Sequence, residues 1–218
     1  TTALLLPKLN TSRRGFSRVD GNIGDLVLET IRQAWASHGQ NPRFAVVACS
    51  GSRVDPAIVL QTKPGDIFAV RNVAALVPPY DEDGHCHGTS AALEFAVMGL
   101  GVEHIIIIGH AHCGGIAAMI RKQEGGTDSG KFIGAWTDLL SEARQRALAA
   151  NPPLRGDALQ SASERQAVRL SLDNLTSFPF VREAVAAGEL SLQGWYLNIF
   201  DGALEIWDPE SETFNQVS

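Results

Sequence analysis

The chain has 218 residues, 44% hydrophobic and 19% charged, which suits one generous folded domain and excludes the intrinsically disordered class. Its net charge of -6 and pI near 5.5 argue against nucleic acid as the main partner, because phosphate binding needs a basic face. No apolar run approaches the roughly 20 residues of a membrane-spanning helix.

Residues 1–24 show no clear periodicity and read as an N-terminal arm, with residues 25–218 as a single domain. The start, Thr1 to Leu6, is apolar but has neither the charged region nor the cleavage site of a signal peptide. A cytoplasmic location is the expectation, with an organelle left open. Asp25 to His38 places Leu26, Val27, Ile31 and Ala34 at helical spacing, and Gln40-Asn41-Pro42 stops that helix.

Phe44 to Ala48 is a short strand that ends at Cys49, and Ile67 to Val70 is a second, introduced by the turn Pro64-Gly65-Asp66. A polar loop runs from Pro78 to Gly88. Thr89 to Leu100 reads as a helix capped by Thr89 or Ser90, with Ala92, Phe95, Ala96 and Leu100 on one side and Gly101 after its end. The run Ile105-Ile106-Ile107-Ile108 within Val102 to Gly109 is the strongest strand. Its unbroken apolar character predicts a central parallel strand covered on both faces.

That strand leads into His110 and Cys113, and a helix follows from Gly114-Gly115. Further helices are expected over Gly134 to Ala150, Ser163 to Ser177 and Val181 to Ala187. Trp195 to Phe200 and Ala203 to Trp207 alternate around Asp201-Gly202 and predict a hairpin. Strands alternating with helices imply an α/β sheet.

The three cysteines are Cys49, Cys86 and Cys113, and an odd count is a poor disulfide framework. Thiols kept reduced, for metal or as free groups, are the better reading. Cys49, His110 and Cys113 stand at the carboxyl ends of two buried strands, where open α/β sheets place their sites. Two thiolates and an imidazole suit zinc, and three protein ligands leave the fourth tetrahedral position open, as in catalytic sites. Buried cysteines are also commonly small hydrophobes, so spacing by itself leaves both readings open.

Several segments resemble the β-class carbonic anhydrases. They are Ala48-Cys49-Ser50-Gly51-Ser52-Arg53-Val54, Gly65-Asp66 with Phe68 to Ala74, and Gly109-His110-Ala111-His112-Cys113-Gly114-Gly115. Gln40 to Phe44, Gly88 to Val97, Asn174-Leu175 with Phe178 to Val181, and Gly194-Trp195-Tyr196 extend the likeness over about residues 25–210. The resemblance implies a mostly parallel four- to five-stranded central sheet with flanking helices. It implies a homodimer or higher oligomer, and one zinc per subunit on Cys49, His110 and Cys113. It also implies reversible hydration of carbon dioxide to bicarbonate by a zinc-bound hydroxide.

By the same resemblance Gln40 hydrogen-bonds substrate from across a subunit interface, and Phe68, Val73, Phe95 and Gly114 line the pocket. Without it, Phe68, Val73 and Phe95 read as core. The family's signature is Cys-x-Asp-x-Arg; here Gly51 occupies the aspartate position while Arg53, the partner of that aspartate, is present. Loss of a positioned acid-base group typically costs on the order of 10² to 10⁴ in rate. Arg53 then needs solvent, a backbone carbonyl or an anion as its partner. Gly51 is also open to a purely conformational reading, a loop that needs positive φ or close packing.

His85, Cys86 and His87 cluster in an acidic loop with Asp81, Glu82 and Asp83, a second metal site or proton shuttle if not a solvated surface loop. His112, between the ligands, is a further shuttle candidate. Three functions compete: carbonate dehydratase, a related carbonyl sulfide or carbon disulfide hydrolase, and a non-catalytic anion-binding zinc homolog.

Overall fold

The computed structural model describes residues 36–37, 39–83, 87–126, 130–150 and 154–217. The chain divides into two compact units, Thr1–Asn41 and Pro42–Ser218. The boundary expected after residue 24 lies outside the described residues. So does the helix expected over Asp25 to His38, apart from Ala36 and Ser37, which are helical.

The second unit is built on Phe44–Cys49 (β1), six residues of which five are buried. It pairs in parallel with Ile67–Asn72 (β2) on one side and His104–His110 (β3) on the other. β3 pairs in parallel with Ser191–Leu197 (β4). Leu204–Asp208 (β5) and Thr213–Gln216 (β6) add antiparallel, giving the order β2-β1-β3-β4-β5-β6.

β1 and β3 are central, so both of their faces are buried, as the isoleucine run predicts. Ala45, Val47, Ile105 and Ile107 point into one cluster, and Val46, Ala48, Ile106 and Ile108 into another. This is the period-two alternation of a pleated strand. The sheet has six strands rather than four or five. β6 reads Thr-Phe-Asn-Gln and is largely exposed, so it carries no apolar pattern that could announce an edge strand.

Helices Pro56–Val59 (α1), Gly88–Glu94 (α2), Gly114–Gln123 (α3), Lys131–Asp138 (α4), Ser141–Ala150 (α5), Gly156–Leu175 (α6) and Pro179–Ala186 (α7) complete the unit. Three differ from expectation. α2 has no side-chain cap from Thr89 or Ser90, because it starts one residue earlier with His87 at the cap position. It then widens into a π turn over Phe95–Gly99. The extra residue rotates the apolar face, so Leu93 and Ala96 are buried while Phe95 is 49% exposed.

The single helix expected over Gly134 to Ala150 is two. Thr137 Oγ1 donates back to the carbonyls of Ile133 and Gly134, which bends the chain and lets Leu140 turn inward to full burial. α6 begins at Gly156, seven residues before the expected start at Ser163; its first turns bury only Leu159, so no apolar periodicity announces them. No helix among the described residues is long and apolar enough to cross a membrane.

Candidate metal centre

β1 and β3 run parallel in register, with Ala48 opposite Ile108, so both deliver their last residues to the same end of the sheet. β1 ends on Cys49 and β3 on His110. The chain then turns through Ala111 and His112, with His112 at φ 53, and presents Cys113 just before α3. Cys49, His110 and Cys113 are 6%, 2% and 3% exposed. Their ligand atoms lie within 4.8 Å of one another. Among the described residues this is the one such cluster of three or more metal-binding side chains.

The two sulfurs are 3.9 Å apart. Two thiolates on a tetrahedral zinc, each at about 2.3 Å, stand roughly 3.8 Å apart, so the spacing needs little adjustment. His110 Nδ1 donates to the Ala111 carbonyl at 2.9 Å, which fixes the tautomer and turns the Nε2 lone pair toward the sulfurs. Nε2 is buried and has no hydrogen-bond partner. A buried orphan nitrogen facing two thiols is a costly arrangement in a core and an ordinary one in a metal site. The residues fit a zinc ion.

Electrostatics agree with that fit. The Cys49 thiol is pushed down, first by the hydrogen bond from Cys113, then, against burial, by His110 and the backbone amides of Gly51 and Ala74. Cys113 moves up, held by its hydrogen bond to Cys49 and by burial. Thiols must give up their protons to hold a metal, so binding here would release protons. Burial opposes charging of His110, but the nearby Cys49 sulfur and the Ala111 carbonyl outweigh it and raise its pKa.

Around the ligands the backbone is strained. Val73–Ala75 form a tight turn in which Ala74 and Ala75 take φ of 69° and 52°, and the Ala74 amide serves the Cys49 sulfur. Left-handed backbone at non-glycine residues costs of order 1–3 kcal/mol each and persists only where the surroundings impose it. Trp136 Nε1 holds this turn by donating to the Val73 carbonyl at 2.8 Å. Gly115 admits it: a Cβ there would meet Val73 Cγ1 at 2.7 Å and Ala74 Cβ at 3.1 Å.

Gly51 has neither of the conformational reasons open to a glycine. Its φ is not positive, and an added Cβ meets Cys49 Sγ, His110 Nε2 and Val54 Cγ2 at 3.6 to 3.7 Å, ordinary contact distances. A Cβ at this position fits and lies beside the ligand atoms. Arg53 Nη2 donates to the His112 carbonyl at 3.1 Å. Its partner is a backbone carbonyl, one of the alternatives expected once the carboxylate is missing.

Val73 packs in the same cluster as Cys49, Ala74, Cys113 and Ile116. Phe68 packs in a different cluster, and its ring meets Phe95 at 5.9 Å. Gly114 is exposed and an added Cβ there meets nothing within 4 Å. Gln40 is exposed and belongs to the other unit. His112 packs edge-on against Phe200 at 4.9 Å. His85 and Cys86 lie outside the described residues, and His87 pairs with Asp83 at 2.8 Å.

Two residues at the site escaped sequence reasoning. Arg71 donates to the carbonyls of Cys49 and Gly51 and pairs with Asp55. Glu164, 3% exposed on α6, accepts the Cys113 amide at 2.8 Å. A charged residue interrupting the apolar β2 run was a signal for Arg71. Glu164 reads in sequence as a solvated helix residue.

Residues 44–204 match the carbonic anhydrase family. The chain belongs to that family. A curated relative, the chloroplastic β carbonic anhydrase 5 of Arabidopsis thaliana, is 44% identical over 168 residues, 77% of this chain and 55% of the relative. The chain therefore spans about half the length of that relative. Among solved structures, the β-carbonic anhydrase CcaA superposes with a TM-score of 0.82 at 28% identity, covering 100% of this chain and 92% of its own. A tetrameric β-carbonic anhydrase of Sordaria macrospora gives 0.66 at 26% identity, covering 85% and 97%. The β-carbonic anhydrase fold, with its central parallel sheet and flanking helices, is thus the fold of this chain.

Proposed function

We propose that this chain catalyses the reversible hydration of carbon dioxide to bicarbonate at zinc held by Cys49, His110 and Cys113. The observation that carries the reading is the buried, partnerless His110 Nε2 facing two thiols, in a chain of the carbonic anhydrase family. Zinc bound there supplies Lewis acidity that brings the pKa of a water ligand to about 7. The protein does the rest: His110 is held by the Ala111 carbonyl, the Ala74 and Gly51 amides serve the Cys49 sulfur, and Val73 keeps the neighbouring wall apolar, as suits carbon dioxide.

Activity is impaired by Gly51, which leaves no carboxylate between Arg53 and the ligands. Stopped-flow hydration by the zinc-loaded chain and its Gly51→Asp variant tests both statements. The added side chain has room, and a gain on the order of 10² or more is expected. A rate equal to buffer from both proteins sinks the hydratase reading. Equal, substantial rates sink the account of Gly51.

Arg53 pairs with no carboxylate among the described residues, which favours one second reading, a non-catalytic anion-binding homolog. Zinc binding with measurable bicarbonate affinity and no turnover would support it. Sulfide release from carbonyl sulfide or carbon disulfide would point instead to the related hydrolase. Assembly as a homodimer or higher oligomer is supported by the tetrameric Sordaria relative and is read by light scattering. Reduced thiols suit the cytoplasm or a reducing organelle interior.

A further inference from the structure

We propose that Glu164 is a positioning residue for the metal centre, holding the Cys113 arm in place from α6. Its carboxylate is buried, yet no cation among the described residues is bonded to it. Instead it is surrounded by donors. Oε1 accepts the Cys113 amide at 2.8 Å and Gln160 Nε2 at 2.9 Å, and Oε2 accepts the Tyr196 hydroxyl at 2.9 Å. Three hydrogen bonds from three elements, α6 itself, β4 and the ligand loop, converge on one carboxylate.

Burying a carboxylate is expensive unless its charge is met, so a carboxylate kept here as a mere filler would be selected against on stability alone. The bond that matters is the one to Cys113. A helix N-terminus has backbone amides without intrahelical partners, and the Cys113 amide stands at the cap position of α3. Satisfying it with a rigid, charged acceptor fixes the main chain of a ligand within a three-residue reach of His110. Glu164 also lines a cavity of about 190 Å³ with Gln160, Arg165, Tyr196, His112 and Phe200. With three of about four acceptor sites used, it has little left to offer a ligand in that cavity. Its neighbour Arg165 is occupied too, paired with Glu205 at 2.6 Å and stacked over Tyr196 at 3.9 Å. Holding the arm, rather than binding a guest, is the role the bonds describe.

The proposal rests on the zinc site and not on its turnover. Zinc affinity by competition with a chromophoric chelator, and the thiolate-to-metal charge-transfer band of the cobalt-substituted protein, read it directly. Glu164→Ala is expected to weaken zinc about 10- to 100-fold, as loss of an outer partner of a metal ligand does, and to shift the cobalt band. Glu164→Gln keeps an acceptor for the Cys113 amide and is expected to retain most of the affinity. If Glu164→Ala does not fold, Glu164→Asp, one methylene shorter, withdraws the carboxylate and is read in the same way. Leu175→Ala, buried on the same helix in a different cluster, is the control for a merely destabilised α6. It is expected to lower the melting temperature and leave zinc affinity and the cobalt band unchanged. Zinc affinity within threefold of the unmodified chain in the folded Ala or Asp variant overturns the proposal. So does an equal loss in Leu175→Ala. Absence of hydration in every protein, the unmodified chain included, would defeat the hydratase reading alone and leave these results standing.

Discussion

The two arms that bring thiolates to the metal centre are built differently. The Cys113 arm is anchored inside the protein, on a Glu164 carboxylate that is 3% exposed and on Tyr196, which is 2% exposed. The Cys49 arm is anchored from the outside. Arg71, whose side chain is 28% exposed, clasps the Cys49 and Gly51 carbonyls, and Ser50 donates its amide to the Asn72 carbonyl at 2.8 Å. A buried charged acceptor in low dielectric holds firmly, whereas an exposed guanidinium is screened by water and salt. Gly51, whose Cβ direction meets the Cys49 sulfur and His110 Nε2, sits on this second arm. This contrast teaches that two ligands of one centre can be held by different means, one from the core and one from the surface.

The comparison can be broken in several ways. Replacing either sulfur, by Cys49→Ser or Cys113→Ser, should weaken zinc by more than about 100-fold, since even indirect partners of ligands typically cost 10–100-fold. Chelator competition measures it, and a surviving site after either change would mean that the cluster is not the metal site. Gly115→Ala, which drives a methyl into Val73 and Ala74, should cost about 1–3 kcal/mol, as overpacking does. In a chain of this size that lowers the melting temperature by about 2–4 °C per kcal/mol. An unchanged melt would mean that the strained turn yields freely.

Arg71→Gln should cost less, about 1 kcal/mol, because half its work is done at the surface. Its effect should fall with added salt, while the effect of Glu164 substitutions should not. Equal salt dependence would erase the difference between the arms. The smallest effect belongs to the amino ends of the same two strands. There Arg43 Nε donates to Glu103 at 2.9 Å, and that hydrogen bond, working against slight desolvation, holds the Glu103 carboxyl below the ordinary carboxylate range. A depressed carboxylate contributes its stability above its unfolded-state pKa and loses it as pH falls through the folded one. Arg43→Gln should therefore raise the Glu103 titration midpoint by NMR and flatten this small acid loss, with zinc affinity at neutral pH unchanged. A midpoint that stays put would mean that the pair is not formed in solution.

Much of this was legible in the sequence because it is carried by local pattern. The isoleucine run of β3 reads as a central strand and Phe44 to Ala48 as a short buried one, and each leads into a candidate ligand. The hairpin at Asp201-Gly202 announces the turn to the antiparallel edge. What was not legible depends on contacts across the fold. β6 is polar because it is an edge. The rotation of Phe95 out of the α2 face follows from one extra residue in a π turn. The break after Asp138 follows from a threonine bonding back to its own helix. Glu164 stands 51 residues from Cys113, and nothing in the surrounding sequence distinguishes it from a solvated glutamate.

The sequence by itself pointed to the family and to the Cys49, His110 and Cys113 cluster, because those reside in residue identity and short spacing. Only the tertiary structure decided that Gly51 answers no conformational demand. Its φ is not positive and its Cβ direction is open toward the ligands, so no demand of the backbone put a glycine there. Only the tertiary structure, too, revealed that the Cys113 arm is held by a buried carboxylate. A hydrogen bond between α6 and the loop before α3 exists only once the sheet has brought the two together.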